Sequence, residues 1–150
     1  MSNLTLLSLL LIHVLGATIW TGGHLILALR FLPEAWQKKD LSIIQQFEER
    51  FEILGLIALA GQVLSGLGLA WLFLPDLSSW LNYQSPMARG IEIKLGLLLL
   101  TVTLALDARL RLIPNLNSDK FNDLALHIIG ITVLAVLFVV VGVGLQLGGI

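Results

Sequence analysis

Cysteine is absent from the 150 residues, and methionine occurs only at positions 1 and 87. Disulfides and thiolate metal centres are excluded, and a sulfur-lined path for a soft metal ion has almost nothing to be built from. Charge is scarce too: Asp, Glu, Lys and Arg make up 13% of the chain, and the formal net charge is −1. A basic face for nucleic acid is therefore missing, and nucleic acid is excluded as a partner. What fills the chain instead is hydrocarbon. At 57% hydrophobic residues, so short a protein belongs in a lipid bilayer rather than in water.

Uncharged stretches run from Met1 to Leu29, from Ile53 to Pro75 and from Leu124 to Ile150. Each is long enough to cross about 30 Å of hydrocarbon as a helix. A further stretch, Leu95 to Leu106, is free of charge but would reach only about 18 Å. That span must take in Lys94, Asp107 or both, closing at Pro114. The expectation is an all-α, integral membrane, up-down four-helix bundle forming one domain over 1–150, with helices at about 4–32, 41–74, 87–113 and 121–147.

Lys and Arg set the orientation, because retained loops carry their excess. Arg30, Lys38, Lys39, Arg50, Arg109, Arg111 and Lys120 flank the first and third connections, against Arg89 and Lys94 on the other side. Both termini are expected outside. The first span lacks a positive leader and is too long for a secretion signal, so it reads as a retained helix. The expected membrane is a bacterial cytoplasmic membrane or an internal one.

Helix 1 should end at Pro33, and Glu34 to Asp40 should form the first connection. LSIIQQFEERFE then has helical apolar spacing at Leu41, Ile44, Phe47 and Phe51, an overhang leading into helix 2. Trp71, Trp80 and Tyr83 flank the outer connection as boundary anchors. Most of the fourteen glycines sit in the spans, where small residues let helices approach closely or open a slot for a flat cofactor. No convincing repeat relates the two halves.

The chemistry concentrates in HVLGATIWTGGH, residues 13–24. A polar ring in hydrocarbon is costly unless paired. His13, Gly16, Ala17, Trp20, Gly23 and His24 share one stripe of a helix, and eleven residues return the direction to within about 20° while rising about 16 Å. The two rings therefore serve two layers of one interior face. His24 and His127 fall within about a turn of each other in depth, and two inward imidazoles at one level can supply both axial ligands of a haem b. Arg30, Arg50, Arg109 and Arg111 stand near that end, where haem propionates would lie. Asp107 either orients a ligand histidine or pairs with Arg111 one turn on. In the outer layer His13 has no second histidine. Lys94 is nearest in depth, either a neutral ligand or proton carrier, or a side chain that snorkels or pairs with Glu92. Gln62 and Ser65 lie with Gly55 and Ala58 on one inward stripe of helix 2, where they can bridge helices.

The segment HVLGATIWTGGHLIL resembles the opening helix of the copper resistance protein D (CopD) family, a His followed by Trp and Gly-Gly. The likeness continues through FEERFE, IEIKLGLLLL and LALHIIGITVLAVLFVVVG. It implies a four-span membrane protein linked to copper uptake or tolerance. The HemJ type of protoporphyrinogen oxidase is similar in its four spans, and that likeness implies haem b with His13 and Lys94 as the matching residues. Where such proteins often place a late helix-3 histidine, this chain has Asp107.

Three functions follow as expectations. The first is a haem b electron-transfer protein with His24 and His127 as axial ligands, His13 and Lys94 at a second site, and Trp20, Asp107 and Gln62 around them. Its partners would be the lipid bilayer and a quinone or redox protein. The second is a copper-binding or copper-uptake protein, a homo-oligomer if it conducts; one Cu(II) on His24, His127 and Asp107 suits imidazole and carboxylate chemistry. The third is a HemJ-like oxidoreductase. A purely structural membrane subunit is the fallback.

Overall fold

The computed structural model describes residues 2–81, 85–115 and 120–148. Among these residues the chain is helical, with no strand. Helix α1 (Asn3–Ile26) starts where the Ser2 hydroxyl accepts the Thr5 N–H at 3.3 Å. That capping bond satisfies an otherwise orphaned donor. A π-helical turn, Leu27–Phe31, joins it to α2 (Leu32–Lys38). Helix α3 (Ser42–Phe73) returns, a 3-10 turn (Leu77–Leu81) follows, and α4 (Pro86–Asp107) begins with Ser85 as its cap and Pro86 in the first turn. A second π turn, Ala108–Leu112, and a 3-10 turn, Ile113–Asn115, lead towards α5 (Phe121–Gln146).

Pro33 does not end the first helix, which continues to Lys38. Proline lacks an N–H and its ring crowds the carbonyl four residues back, here Leu29. The π turn absorbs both defects: Leu32 donates to Leu27, five residues back, so the widened turn passes the proline without a break. Reversal comes later, at Lys39, whose φ of 52° is left-handed, with Asp40 N–H closing onto Ala35 O at 3.1 Å. Hydrogen bonds from Ser42 then hold the exposed Asp40 carboxyl below its usual range.

Three rods, Asn3–Lys38, Ser42–Phe73 and Phe121–Gln146, are long and apolar enough to cross a bilayer. Arg89, Glu92 and Lys94 keep α4 out of that group, although its 22 residues are enough for a full crossing. At the helical rise they span about 33 Å. The four rods make a bundle in which α1 packs chiefly on α3 and also on α5, while α4 packs on α5. The surface carries Leu4, Leu11, Leu29, Ile57, Leu64, Leu99 and Leu126, whereas His24, Gln62, Ser65, Thr101 and Thr132 are buried. Apolar outside and small or polar inside is the distribution expected of a chain solvated by lipid. This is an integral membrane protein. An apolar cluster of Leu27, Leu32, Ala35, Ile44, Leu124, Ala125 and Ile128 closes the Pro33 end.

A correspondence between the halves, missed in the sequence, emerges here. LRFLP (29–33) and LRLIP (110–114) each overlap a π turn and end on its proline. His13 and Lys94 each stand twenty residues before their proline. Gly16 packs on Ala58 and Gln62 of α3, and Leu97 packs with Leu134 and Phe138 of α5. Each half is one helix pair built on a common register.

Candidate functional site

All three imidazoles are fixed in the same way. His24 Nδ1 lies 2.8 Å from Trp20 O and His127 Nδ1 2.9 Å from Asp123 O, each one turn back on its own helix. His13 Nδ1 reaches across to α3, 2.8 Å from Gln62 O, with the Ser65 hydroxyl 3.3 Å away. A carbonyl only accepts, so each Nδ1 carries a proton; in a neutral His13 or His24 ring Nε2 is then left as the acceptor, whereas His127 Nε2, which faces the Asp107 carboxylate, is a second donor. That is the arrangement by which ligand histidines are oriented.

The surroundings of Nε2 differ. His13 lies against Gly66, where an added Cβ would sit 2.8 Å from its Cε1, so the ring occupies space that only glycine leaves. His24 is buried between two aromatic rings, Trp20 with centroids 4.3 Å away and Phe51 edge-on at 6.0 Å. Phe51 fits because Gly23 and Gly55 leave a notch between α1 and α3 that its ring fills. His127 has no such freedom: its Nε2 meets Asp107 Oδ2 at 2.7 Å, and Asp107 is gripped from the other side by Arg111 at 2.7 and 2.8 Å. Asp107 thus pairs with Arg111, as one expectation had it, and contacts His127 at the same time.

The structure places His24 level with Thr132, whose hydroxyl is 3.2 Å from His24 O and 2.7 Å from Ile128 O. His127 lies five residues earlier on α5 and turns towards α4. That separation is more than a full helical turn along the axis. Among the described residues no ring contact or hydrogen bond joins His24 to His127, and no three His, Asp or Glu side chains cluster closely enough to hold a metal ion. Of the four arginines placed near propionates, Arg30 pairs with Glu34, Arg109 with Glu52 and Arg111 with Asp107. Only Arg50 lacks a carboxylate partner among the described residues.

Lys94 makes no ion pair with Glu92 there, and its ammonium turns to Gly142, where an added Cβ would be 3.6 Å from Nζ. Two nearly buried side chains also keep an unpartnered polar atom: Trp20 Nε1 and Gln62 Oε1. Trp80 donates to Leu74 O at 2.8 Å and Trp71 is exposed; Tyr83 lies outside the described residues. Sequence reasoning placed Phe47 and Phe51 on an apolar stripe without connecting them to His24, and missed Thr132. The available signal was Phe51 one turn before Gly55, the pattern of a ring folded over a glycine.

Residues 45–145 match the family described as copper resistance protein D, CopD. The chain belongs to the CopD family. The match spans well over half of it, taking in α4, α5 and nearly all of α3, with Lys94, Asp107 and His127; His13, Trp20 and His24 precede the matched range. No curated protein and no solved structure matches the chain. As a CopD-family membrane protein it is implicated in copper resistance. Among the described residues its nitrogen and carboxylate donors occur in ones and twos rather than as a closed cage. Those donor types suit Cu(II).

Proposed function

We propose that this CopD-family protein takes up or transfers copper within the bilayer, using imidazole Nε2 atoms as successive, incomplete ligand sets. The observation that carries the reading is the common anchoring of His13, His24 and His127 through Nδ1. It orients three imidazoles at different depths, and among the described residues no three-donor site would hold the ion tightly. Movement through a membrane needs binding strong enough to enter and weak enough to leave. His24 is the central ligand of this reading, and the His127–Asp107 pair is a second station whose imidazole and carboxylate would have to part to admit an ion. A second copy of the chain could complete each set, which makes a homo-oligomer the working assembly.

Haem b is the second reading, supported by the Nδ1 anchoring of buried His24 and by Arg50, which has no carboxylate partner among the described residues. It asks more of the molecule, since His127 must leave Asp107 to become an axial ligand and three of the four arginines already have partners. In that case the group would supply one-electron chemistry, and a quinone or redox protein would be the partner. The HemJ-like oxidase reading retains only His13 and Lys94.

The test is the purified protein in mild detergent, measured for copper and iron by elemental analysis and for visible absorption before and after dithionite, with His13→Ala, His24→Ala and His127→Ala beside it. Bound copper that falls with His24→Ala, without haem bands, supports the proposal. Sharp reduced haem bands lost in His24→Ala and His127→Ala overturn it in favour of the electron-transfer protein. Absence of both metals, even after copper loading, returns the chain to a structural role.

A further inference from the structure

A crevice of about 510 Å³ opens at the Pro33 end between the first helix and α3, lined by Phe31, Glu34, Gln46, Phe47, Arg50 and Phe51, with Ile43 beside them. Its size falls within the range of small-molecule sites. Its inner wall is aromatic: Phe31 and Phe47 have centroids 4.9 Å apart, and Phe47 and Phe51 stack at 5.4 Å with an interplanar angle of 25°. Phe51 is also the ring against His24, so a ladder of Phe31, Phe47, Phe51, His24 and Trp20 runs from the crevice into the bundle.

The rim is unevenly satisfied. Glu34 is held by Lys38 at 2.7 Å and Arg30 at 3.4 Å, so its charge is already answered. Arg50 has no carboxylate partner among the described residues, although it lines the same opening. The combination is a flat apolar wall with a guanidinium and the Gln46 amide at its edge. A hydrated metal cation is disfavoured there, because the available charge is positive. A planar ring carrying an ionised or carbonyl oxygen is favoured, with faces for the phenylalanines and an acceptor for the fork of Arg50. The corresponding place in the second half lacks these features. Matching Gly66, beside His13, to Gly142, beside Lys94, puts Leu126 opposite Arg50 and Asp123 opposite Phe47.

We infer that this crevice binds a flat, membrane-soluble ring ligand with an anionic or carbonyl edge, of the quinone class, in contact with the ring ladder that ends on His24. This site is independent of whether copper or haem occupies the interior.

The test is calorimetric titration of the full chain in dodecyl maltoside with 2-hydroxy-1,4-naphthoquinone, whose ionised hydroxyl and fused rings present both features. Phe47→Leu, which keeps apolar volume but removes the ring, and Arg50→Gln are compared with Trp71→Phe at the opposite end. The expected result is saturable one-to-one binding, weakened about tenfold by each of the first two changes and unaltered by the third. Non-saturable uptake, or affinity equal in all variants, is partition into the micelle and overturns the inference. Loss in Arg50→Gln with full binding in Phe47→Leu marks a site for any anion, such as a lipid headgroup, and overturns it as well. Circular dichroism of each variant shows that the helices persist, so a loss of binding is read at the crevice.

Discussion

At the level of Gly16, α1 meets α3 backbone to backbone; at the matching level of Leu97, α4 meets α5 through leucine and phenylalanine side chains. Nearer the prolines the contrast sharpens. The first pair opens a glycine notch and fills it with Phe51 against a buried histidine, while the second pair ties His127, Asp107 and Arg111 into an ionic cluster. One register therefore serves two chemistries. Among the described residues the close, glycine-mediated pair leaves His24 Nε2 without a hydrogen-bond partner, and the second pair ties His127 Nε2 to Asp107. A membrane interior gives little hydrophobic reward for helix contact, so small residues and polar ties are alternative ways of holding helices together.

The largest expected break in this comparison comes from glycine. A Cβ at Gly16 would lie 2.7 Å from Ala58 O, a backbone atom that cannot swing away, whereas one at Gly96 meets nothing within 4 Å. Gly16→Val should cost about 1–3 kcal/mol by overpacking, and Gly96→Val should stay within about 0.5 kcal/mol. Unfolding by graded SDS addition in detergent measures both, and equal costs would refute the asymmetry. Next comes the ionic side: Asp107→Asn should lower the unfolding midpoint more than Glu52→Gln, because Asp107 serves two partners and Glu52 serves Arg109. The same titration checks the order.

A smaller effect tests what the halves share. Pro33→Ala and Pro114→Ala should each change stability by less than about 1 kcal/mol and by similar amounts, since the π turns already accommodate the rings. A large loss at one site alone would show that the two turns are not equivalent. The smallest effect is expected at Asp40. Its carboxyl is depressed by Ser42, so its contribution to stability is present above the unfolded-state value and is lost as pH falls through the folded one. Asp40→Asn should lower neutral-pH stability slightly and flatten the decline below about pH 4 by a matching amount, measured by the same unfolding at a series of pH values.

Much of the fold was legible in the chain. The uncharged stretches located three rods, and the i, i+3, i+4 stripe selected His13, Gly16, Ala17, Trp20, Gly23 and His24 as an inward face, of which Gly16, Trp20, Gly23 and His24 are buried and His13 and Ala17 partly so. Gln62, Ser65, Gly55 and Ala58 were likewise read correctly as the inward stripe of α3. The end of the first helix was misjudged, because a proline signals a break only where the backbone cannot widen by one residue. Pairing across helices was the least legible. Similar depth suggested His24 with His127, yet rotation about the α5 axis directs His127 to Asp107, and rotation is not encoded in a count of residues from a helix end.

Composition and periodicity by themselves determined that this chain lives in a bilayer, that its helices hide polar residues from lipid, and which residues point inward. These follow from local rules, the cost of polar groups in hydrocarbon and the helical repeat. Only the tertiary structure decided that three histidines hold the same proton at Nδ1, that one of them spends its Nε2 on an aspartate, and that Phe51 stands between a crevice and His24. Those outcomes depend on how two helices are rotated and how closely glycine lets them approach, quantities fixed by packing between segments distant in the chain.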